Sequence, residues 1–221
     1  TKNPKIEYEM RVKHFAELYQ KHSQQARHVS NLRLLVSLVG IALAIFFFVS
    51  GSTPSGIITL LTAMALFIFL VNKHHQVKRA KDYASLMKKI NENSLKRLSG
   101  EWASFSDTGE EFGADNHPFS ADLDIFGKGS LFQWTNTAYT FLGRQRLAHL
   151  LSTTPDTKEK VSARQEAVEE LAPKLKWRQQ FQVEGIISSE RAQDPGELIQ
   201  WGKKANPFFR RREIIFAFRF L

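Results

Sequence analysis

Gly127-Lys128-Gly129-Ser130 is the stretch whose residue types suggest phosphate chemistry: glycines free backbone N–H groups to cradle a phosphate, a lysine reaches the outer phosphates and a hydroxyl holds Mg²⁺. The nucleotide-binding loop needs G-x-x-x-x-G-K-[ST]. Here the residue five before Gly127 is Asp122, and Lys128 is followed by Gly129. Failure at two positions excludes nucleotide hydrolysis by this device within the 221 residues, and Ser130 reads instead as the N-cap of a helical run over 130–151. Asp115, Asp122 and Asp124 lack the D-x-[DN]-x-[DN]-G spacing and distal Glu of a calcium loop, so they read as turn formers. His74-His75 is the one adjacent histidine pair; neighbours on a helix point about 100° apart, a poor chelate. With no cysteine, disulfides and thiolate metal sites are excluded. No catalytic, metal or cofactor residue is assigned. Arg144 and Arg146 are the candidate phosphate contacts, against a competing reading as solvated side chains or partners of Glu166 and Glu169. Trp134 and Trp177 read as core or interface aromatics rather than base-stacking platforms.

The elements that would position these groups are dominated by two apolar stretches. Residues 34–72 carry no Asp, Glu, Lys or Arg, and both 32–50 and 57–71 are almost continuously apolar. The first is long enough to cross about 30 Å of hydrocarbon as a helix, and the second reaches that length with Ser55, Gly56 and Asn72. Only the turn formers of 51–56 separate them, so 32–72 reads as a transmembrane helical hairpin with spans at 32–50 and 55–72. A secretory signal is excluded, because the apolar run starts after some thirty polar residues and a second span follows at once.

Charge sets the expected orientation. Residues 1–33 hold seven Lys/Arg and three Asp/Glu, residues 73–100 hold eight and two, and residues 101–221 hold sixteen and seventeen. The basic excess flanks the hairpin while the turn has none, which by the positive-inside rule puts the N-terminus and residues 73–221 in the cytoplasm of a multi-pass cell-membrane protein. Lys73, Lys78, Arg79, Lys81, Lys88 and Lys89 are expected to meet anionic lipid head groups. DNA is a partner that the charge of residues 101–200, ten basic against sixteen acidic, does not support.

Outside the spans, Tyr8, Val12, Phe15 and Tyr19, then Val77, Ala80, Ala84 and Met87, recur at helical spacing. They predict amphipathic continuations of the membrane helices: a cytoplasmic helix over 1–31 and a basic juxtamembrane helix over 73–100, forming either a stalk or interfacial helices lying on the lipid. Residues 101–124 read as a linker and 125–205 as a helical domain. In it Leu131, Trp134, Ala138 and Leu142 share a face, Val161, Ala167 or Val168, and Leu171 form a buried stripe, and a short helix lies near Pro195–Trp201. Residues 206–221, basic then apolar and aromatic, read as the approach to a third span in a longer chain. The fold class is all-α.

The order of motifs from residue 130 adds a resemblance. Ser130-Leu131, Thr135 with Thr137, Gly143-Arg144, the Leu-rich 147–151, Pro155, and Arg164-Gln165-Glu166-Ala167-Val168 follow the sequence seen at the start of the core or lever region of MutS-type mismatch-repair ATPases. The lead-in over 117–132 resembles that of the membrane-attached MutS-related proteins of bacteria. The resemblance covers roughly residues 117–175 and implies an ATP-driven, homodimeric parent protein, with ATP, Mg²⁺ and Walker motifs beyond residue 221. This chain would supply the anchor and the beginning of the lever. The mismatch-reading Phe-x-Glu wedge of that family has no counterpart; Phe181-Gln182-Val183-Glu184 has the wrong spacing and lies downstream of the core motif.

Overall fold

The computed structural model describes residues 3–113, 122–153, 157–189 and 196–203. Every regular element among them is helical, and the chain divides into two units at Ser104/Phe105.

The first unit is a pair of long helices, α1 (Pro4–Val49) and α2 (Thr53–Ser99), followed by a 3-10 turn at Glu101–Ser104. Asn3 caps α1 by accepting from the Lys5 N–H, and Pro4 sits where a missing N–H costs nothing. The reversal at 50–52 is a glycine C-cap. Gly51 takes φ +76°, its N–H donates to the Phe48 carbonyl, and the Ser52 N–H donates to Phe47. Pro54 then opens α2, and Gly100, at φ +86°, closes it.

The helices run antiparallel and stay paired along their length. Gly40 meets Ala63, the Arg33 guanidinium lies 5.8 Å from the Phe67 ring centroid, Lys81 lies 5.9 Å from that of Tyr19, and Lys5 and Glu9 line one cleft with Leu95 and Lys96. The two residue numbers add to nearly the same value at each point, which is the signature of one unbroken register. On α2 the seam falls at Gly56, Ala63, Leu70, Val77, Ala84 and Asn91, a strict seven-residue repeat that keeps one face on its neighbour. Val77, Ala84 and Met87 are buried and Ala80 half-buried, as the spacing predicts; on α1, Phe15 is buried.

Within the apolar part the seam is made of small residues, Gly40, Ala44, Gly56 and Ala63, up to Leu70, the first large side chain of the repeat on α2. A Cβ on Gly40 would lie 2.6 Å from that of Ala63, so the backbones approach more closely there than any side chain allows. Gly40→Leu is expected to force the helices apart and destabilise the pair by about 1–3 kcal/mol, the usual cost of overpacking. Distances between spin labels on exposed positions near 40 and 63 check this; an unchanged distance would show that the close approach is not required.

The second unit starts at Phe105. A 3-10 turn at Glu110–Phe112, then α3 (Leu131–Thr135), α4 (Phe141–Ser152), α5 (Lys158–Leu171), α6 (Leu175–Ser189) and α7 (Gly196–Lys203) follow. Three expectations are corrected here. The run over 130–151 is two helices, because the Asn136 side chain accepts from the Ala138 N–H and holds 136–139 extended, and Thr140 then caps α4 through the Gly143 N–H. Residues 105–113 are folded structure within 101–124, not simple linker: Phe112 packs on Phe126 and Phe132. The stripe on α5 is not buried, since that helix buries no residue and Val168 is 67% exposed. Trp134 and Trp177 are about half exposed; Trp177 stacks on Phe181 within α6. α7 falls where a short helix is predicted, whereas Pro155, Asp115 and the suggested third span at 206–221 lie outside the described residues.

Candidate functional site

Two features stand out, one in each unit. In the first, the seam uses one stripe of each helix and leaves the rest of the apolar stretch uncovered. Leu34, Leu38, Ile41, Ile45 and Phe46 on α1, and Ile58, Leu61, Met64, Ile68 and Phe69 on α2, are half exposed or more. In the most apolar stretch of each helix, only 11% is buried. A core helix of a soluble protein would be mostly covered, so these two helices are long enough and apolar enough to cross a bilayer, and dressed in side chains that water does not solvate. Polar groups inside the band are satisfied locally. Ser37 donates to the Arg33 carbonyl, Thr59 to Ser55 and Thr62 to Ile58, each one turn back on its own helix, and Ser52 donates to the Ser55 hydroxyl. Such a surface leaves no side-chain hydroxyl in this set seeking a partner.

The six basic residues placed at the head groups separate along α2. At 1.5 Å per residue, Lys73 stands at the edge of the band, Lys78, Arg79 and Lys81 about 9–14 Å beyond Asn72, and Lys88 and Lys89 about 24–26 Å beyond it. The last two lie more than twice a Debye length of about 8–10 Å beyond it, and Lys88 is engaged with Glu92 at 3.3 Å. Arg33, at the matching level of α1, is not among the basic residues that the sequence singles out, and it belongs with Lys73.

In the second unit, polar and aromatic groups converge on Arg144. Ser130 caps α3, accepting from the Gln133 N–H at 3.2 Å, and Gln133 in turn donates to the Phe105 carbonyl at 2.6 Å and accepts from the Gly129 N–H at 2.7 Å. These bonds bring residues 105–113 against α3. Arg144 then grips Asp107 with both ends of its fork, Nε to Oδ2 at 2.8 Å and Nη2 to Oδ1 at 2.7 Å, and also donates to Glu111. Asn136 donates to the same Asp107 carboxylate at 2.7 Å, and the Phe112 ring lies under the guanidinium at 5.4 Å. The Asp107 hydrogen bond, joined by that to Glu111 and opposed by partial burial, holds the guanidinium pKa above its ordinary value, so Arg144 is charged throughout the physiological range. Below this cluster Phe132 is fully buried among Phe112 and Phe126. Gly109, at φ +65°, leaves room for it: a Cβ there would come within 2.5 Å of the ring.

No family model, no curated protein and no solved structure matches the chain. Its function therefore has to be argued from these two features.

Of the residues that sequence reasoning singles out, Ser130, Gly143 and Arg144 come together. Gly143 sits on the Thr140 cap, where a Cβ would stand 2.7 Å from the hydroxyl. Arg144 is bridged to acids, but to Asp107 and Glu111 in place of Glu166 and Glu169. Its fork is therefore occupied, and of the two candidate phosphate contacts only Arg146, on α4, is an exposed side chain. Thr135 bonds back to the Leu131 carbonyl, Leu131 and Thr137 are exposed, and Arg164 and Gln165 lie exposed on α5. Sequence reasoning missed Gly109, Asp107, Glu111, Gln133 and Asn136. The T-N-T step at 135–137 is the available signal for a break, but nothing local pairs Asp107 with a residue 37 positions away. Among the described residues, no group of three or more His, Asp and Glu side chains converges as a metal site.

Arg144→Ala is expected to lower the stability of the second unit by about 1–3 kcal/mol, because it leaves the Asp107 and Glu111 carboxylates without the cation they share. Chemical denaturation followed by tryptophan fluorescence measures it. Double replacement of Arg144 and Asp107 should cost less than the sum of the single changes, and strict additivity would show that the pair is not coupled.

Proposed function

We propose that this chain is the membrane anchor and connector of a MutS-like ABC-type ATPase: the hairpin crosses the membrane, the paired extensions form a cytoplasmic stalk, and the second unit is the beginning of an ATP-driven lever. The observation that carries the anchor is the uncovered apolar band on two paired helices. The stalk reading is supported by the unbroken register of α1 with α2, since helices lying flat on lipid would have no reason to keep a buried seam. The lever reading rests on the ordered motifs from Ser130 to Val168, to which the Arg144 cluster adds a physical role for Ser130, Gly143 and Arg144 as residues that lock one fold.

In this reading both ends of the hairpin are cytoplasmic, Arg33, Lys73, Lys78, Arg79 and Lys81 meet anionic head groups, and the chains work in pairs, with ATP and Mg²⁺ bound by the downstream part. DNA is a lesser partner, because residues 101–200 carry an acidic excess that repels phosphates.

The chain has no cysteine, so single cysteines report topology cleanly. In intact cells a membrane-impermeant maleimide should label Ser52→Cys, at the turn, and should label Gln24→Cys only after permeabilisation. Protein recovered in the soluble fraction without detergent would end the anchor reading. For the ATPase, DNA binding by the longer protein at two salt concentrations, with and without ATP, separates a repair enzyme from a MutS fold turned to a membrane task. Stable assembly with no nucleotide hydrolysis would instead favour a non-enzymatic scaffold.

A further inference from the structure

Where α1 and α2 leave the apolar band, the pair is ringed by cations and holds no carboxylate. From residue 18 to residue 81 the chain carries no Asp or Glu, while Arg27, Arg33, Lys73, Lys78 and Arg79 set five fixed positive charges close to the band edge. His28 and His75 stand among them. The register that sets Gly40 against Ala63 also sets residue 28 against residue 75, so the two imidazoles share one level of the pair. At 1.5 Å per residue, His75 lies about 4–5 Å beyond Asn72, and His28 about 6 Å before Leu32. Head groups occupy about 5–8 Å on each side of the hydrocarbon, so in a spanning hairpin both rings fall within that layer.

Orientation separates these two from the third histidine at this level. His28 is five residues before Arg33 on the seam, and His75 five after the buried Leu70. At 100° per residue each is turned about 140° away from the seam, and both are exposed. His74, four after Leu70, is turned only about 40° from it, and its Nδ1 is buried without a hydrogen-bond partner.

Imidazole is the side chain that gains and loses charge near neutral pH. A proton on His75 meets Lys73, Lys78 and Arg79 on its own helix and Arg27 across the pair; one on His28 meets Arg27 and Arg33, with Lys73 across. The nearest carboxylates along the helices are Asp82, seven residues beyond His75, and Glu17, eleven before His28, about 10 and 16 Å away. The hairpin therefore offers neither proton a counter-charge. Phosphodiester head groups at the same level do, and each basic group close to such a surface strengthens binding about fivefold.

We infer that His28 and His75, with the fixed cations around them, form a belt that takes up anionic phospholipid head groups together with protons. Their contribution is present below the imidazole range and is lost as pH rises through it, because only the charged ring attracts phosphate; reciprocally, an anionic surface favours the charged ring. The inference rests on the hairpin crossing the membrane, and adds to that reading a pH dependence and two residues that face the lipid.

The test places the full chain in vesicles of phosphatidylcholine and phosphatidylglycerol, whose phosphodiester stays ionised throughout. Electron spin resonance of spin-labelled lipids reads how strongly phosphatidylglycerol is preferred in the shell around the protein. From about pH 8 to about pH 5.5 that preference should rise at least about threefold. His28→Gln combined with His75→Gln should leave it flat, and His74→Gln should keep the rise. Both paired changes are at exposed positions, and helical circular dichroism verifies that the fold is intact. A flat profile in the parent, a rise that survives the double change, or a rise abolished by His74→Gln alone would overturn the belt. So would loss of the preference on adding inorganic phosphate at constant ionic strength, since the groups would then hold soluble phosphate. A failed anchor would show separately, as no motion-restricted lipid at any pH.

Discussion

Phe132→Ala is expected to lower the unfolding free energy of the second unit by about 3–5 kcal/mol, the range for removing a fully buried aromatic ring. Phe132 has no exposed surface, packs against Phe112 and Phe126 with centroids 5.5 and 5.9 Å away, and fills the space that Gly109 leaves by having no Cβ. Its backbone N–H also donates to Ile125, so the ring and the entry to α3 are fixed together. A unit of this size has only about 5–15 kcal/mol to lose, so the variant should sit close to its folding threshold. The companion change Gly109→Ala attacks the same contact from the other side and adds the strain of a left-handed φ. Denaturant titration of the full chain in detergent, followed by tryptophan emission, should show the second-unit transition moving to lower denaturant while the helical signal of the hairpin is unaffected. A loss below about 1 kcal/mol for Phe132→Ala would mean that the three-ring cluster is not the core of that unit.

Met64→Lys should separate the membrane reading from its alternatives. Met64 is 62% exposed near the middle of the apolar stretch of α2, away from the Gly40–Ala63 contact. In water, replacing an exposed Met by Lys on a helix surface would be nearly neutral and would improve solubility. In hydrocarbon the same change carries a cost of about 2.5–3.5 kcal/mol on insertion scales, roughly a hundredfold in the fraction inserted. The expected result is a fall in glycosylation-reported insertion of the second span. The control is Asn72→Lys, next to Lys73 at the band edge, which should insert like the parent. Equal insertion of the two variants would be incompatible with a spanning α2.

A smaller effect has a defined sign. The fully exposed Glu170 carboxyl is held below its ordinary value by the hydrogen bond from Lys174. That contribution is present above the ordinary carboxylate range and fades as pH falls through the lowered value, so helicity at the α5–α6 junction should decline on acidification. Lys174→Met should remove the dependence, as circular dichroism across an acid titration would show.

By itself the sequence determined the hairpin, because uninterrupted apolar composition, a charge-free turn and flanking lysines and arginines are properties of contiguous residues. Local chemistry also placed the Ser130 cap and the amphipathic stripe over Val77–Met87, where polar neighbours give the apolar positions contrast. Inside the band there is no such contrast: nearly every position is apolar, so the choice of Gly40, Ala44, Gly56 and Ala63 as the seam depends on where two backbones can approach. Only the tertiary structure decided that, and likewise the closure of Arg144 on Asp107 and Glu111 across more than thirty residues. The stripe on α5 failed in the opposite direction. Helical spacing shows that a face is apolar, but not whether that face is covered, and Val161 and Val168 are 37% and 67% exposed.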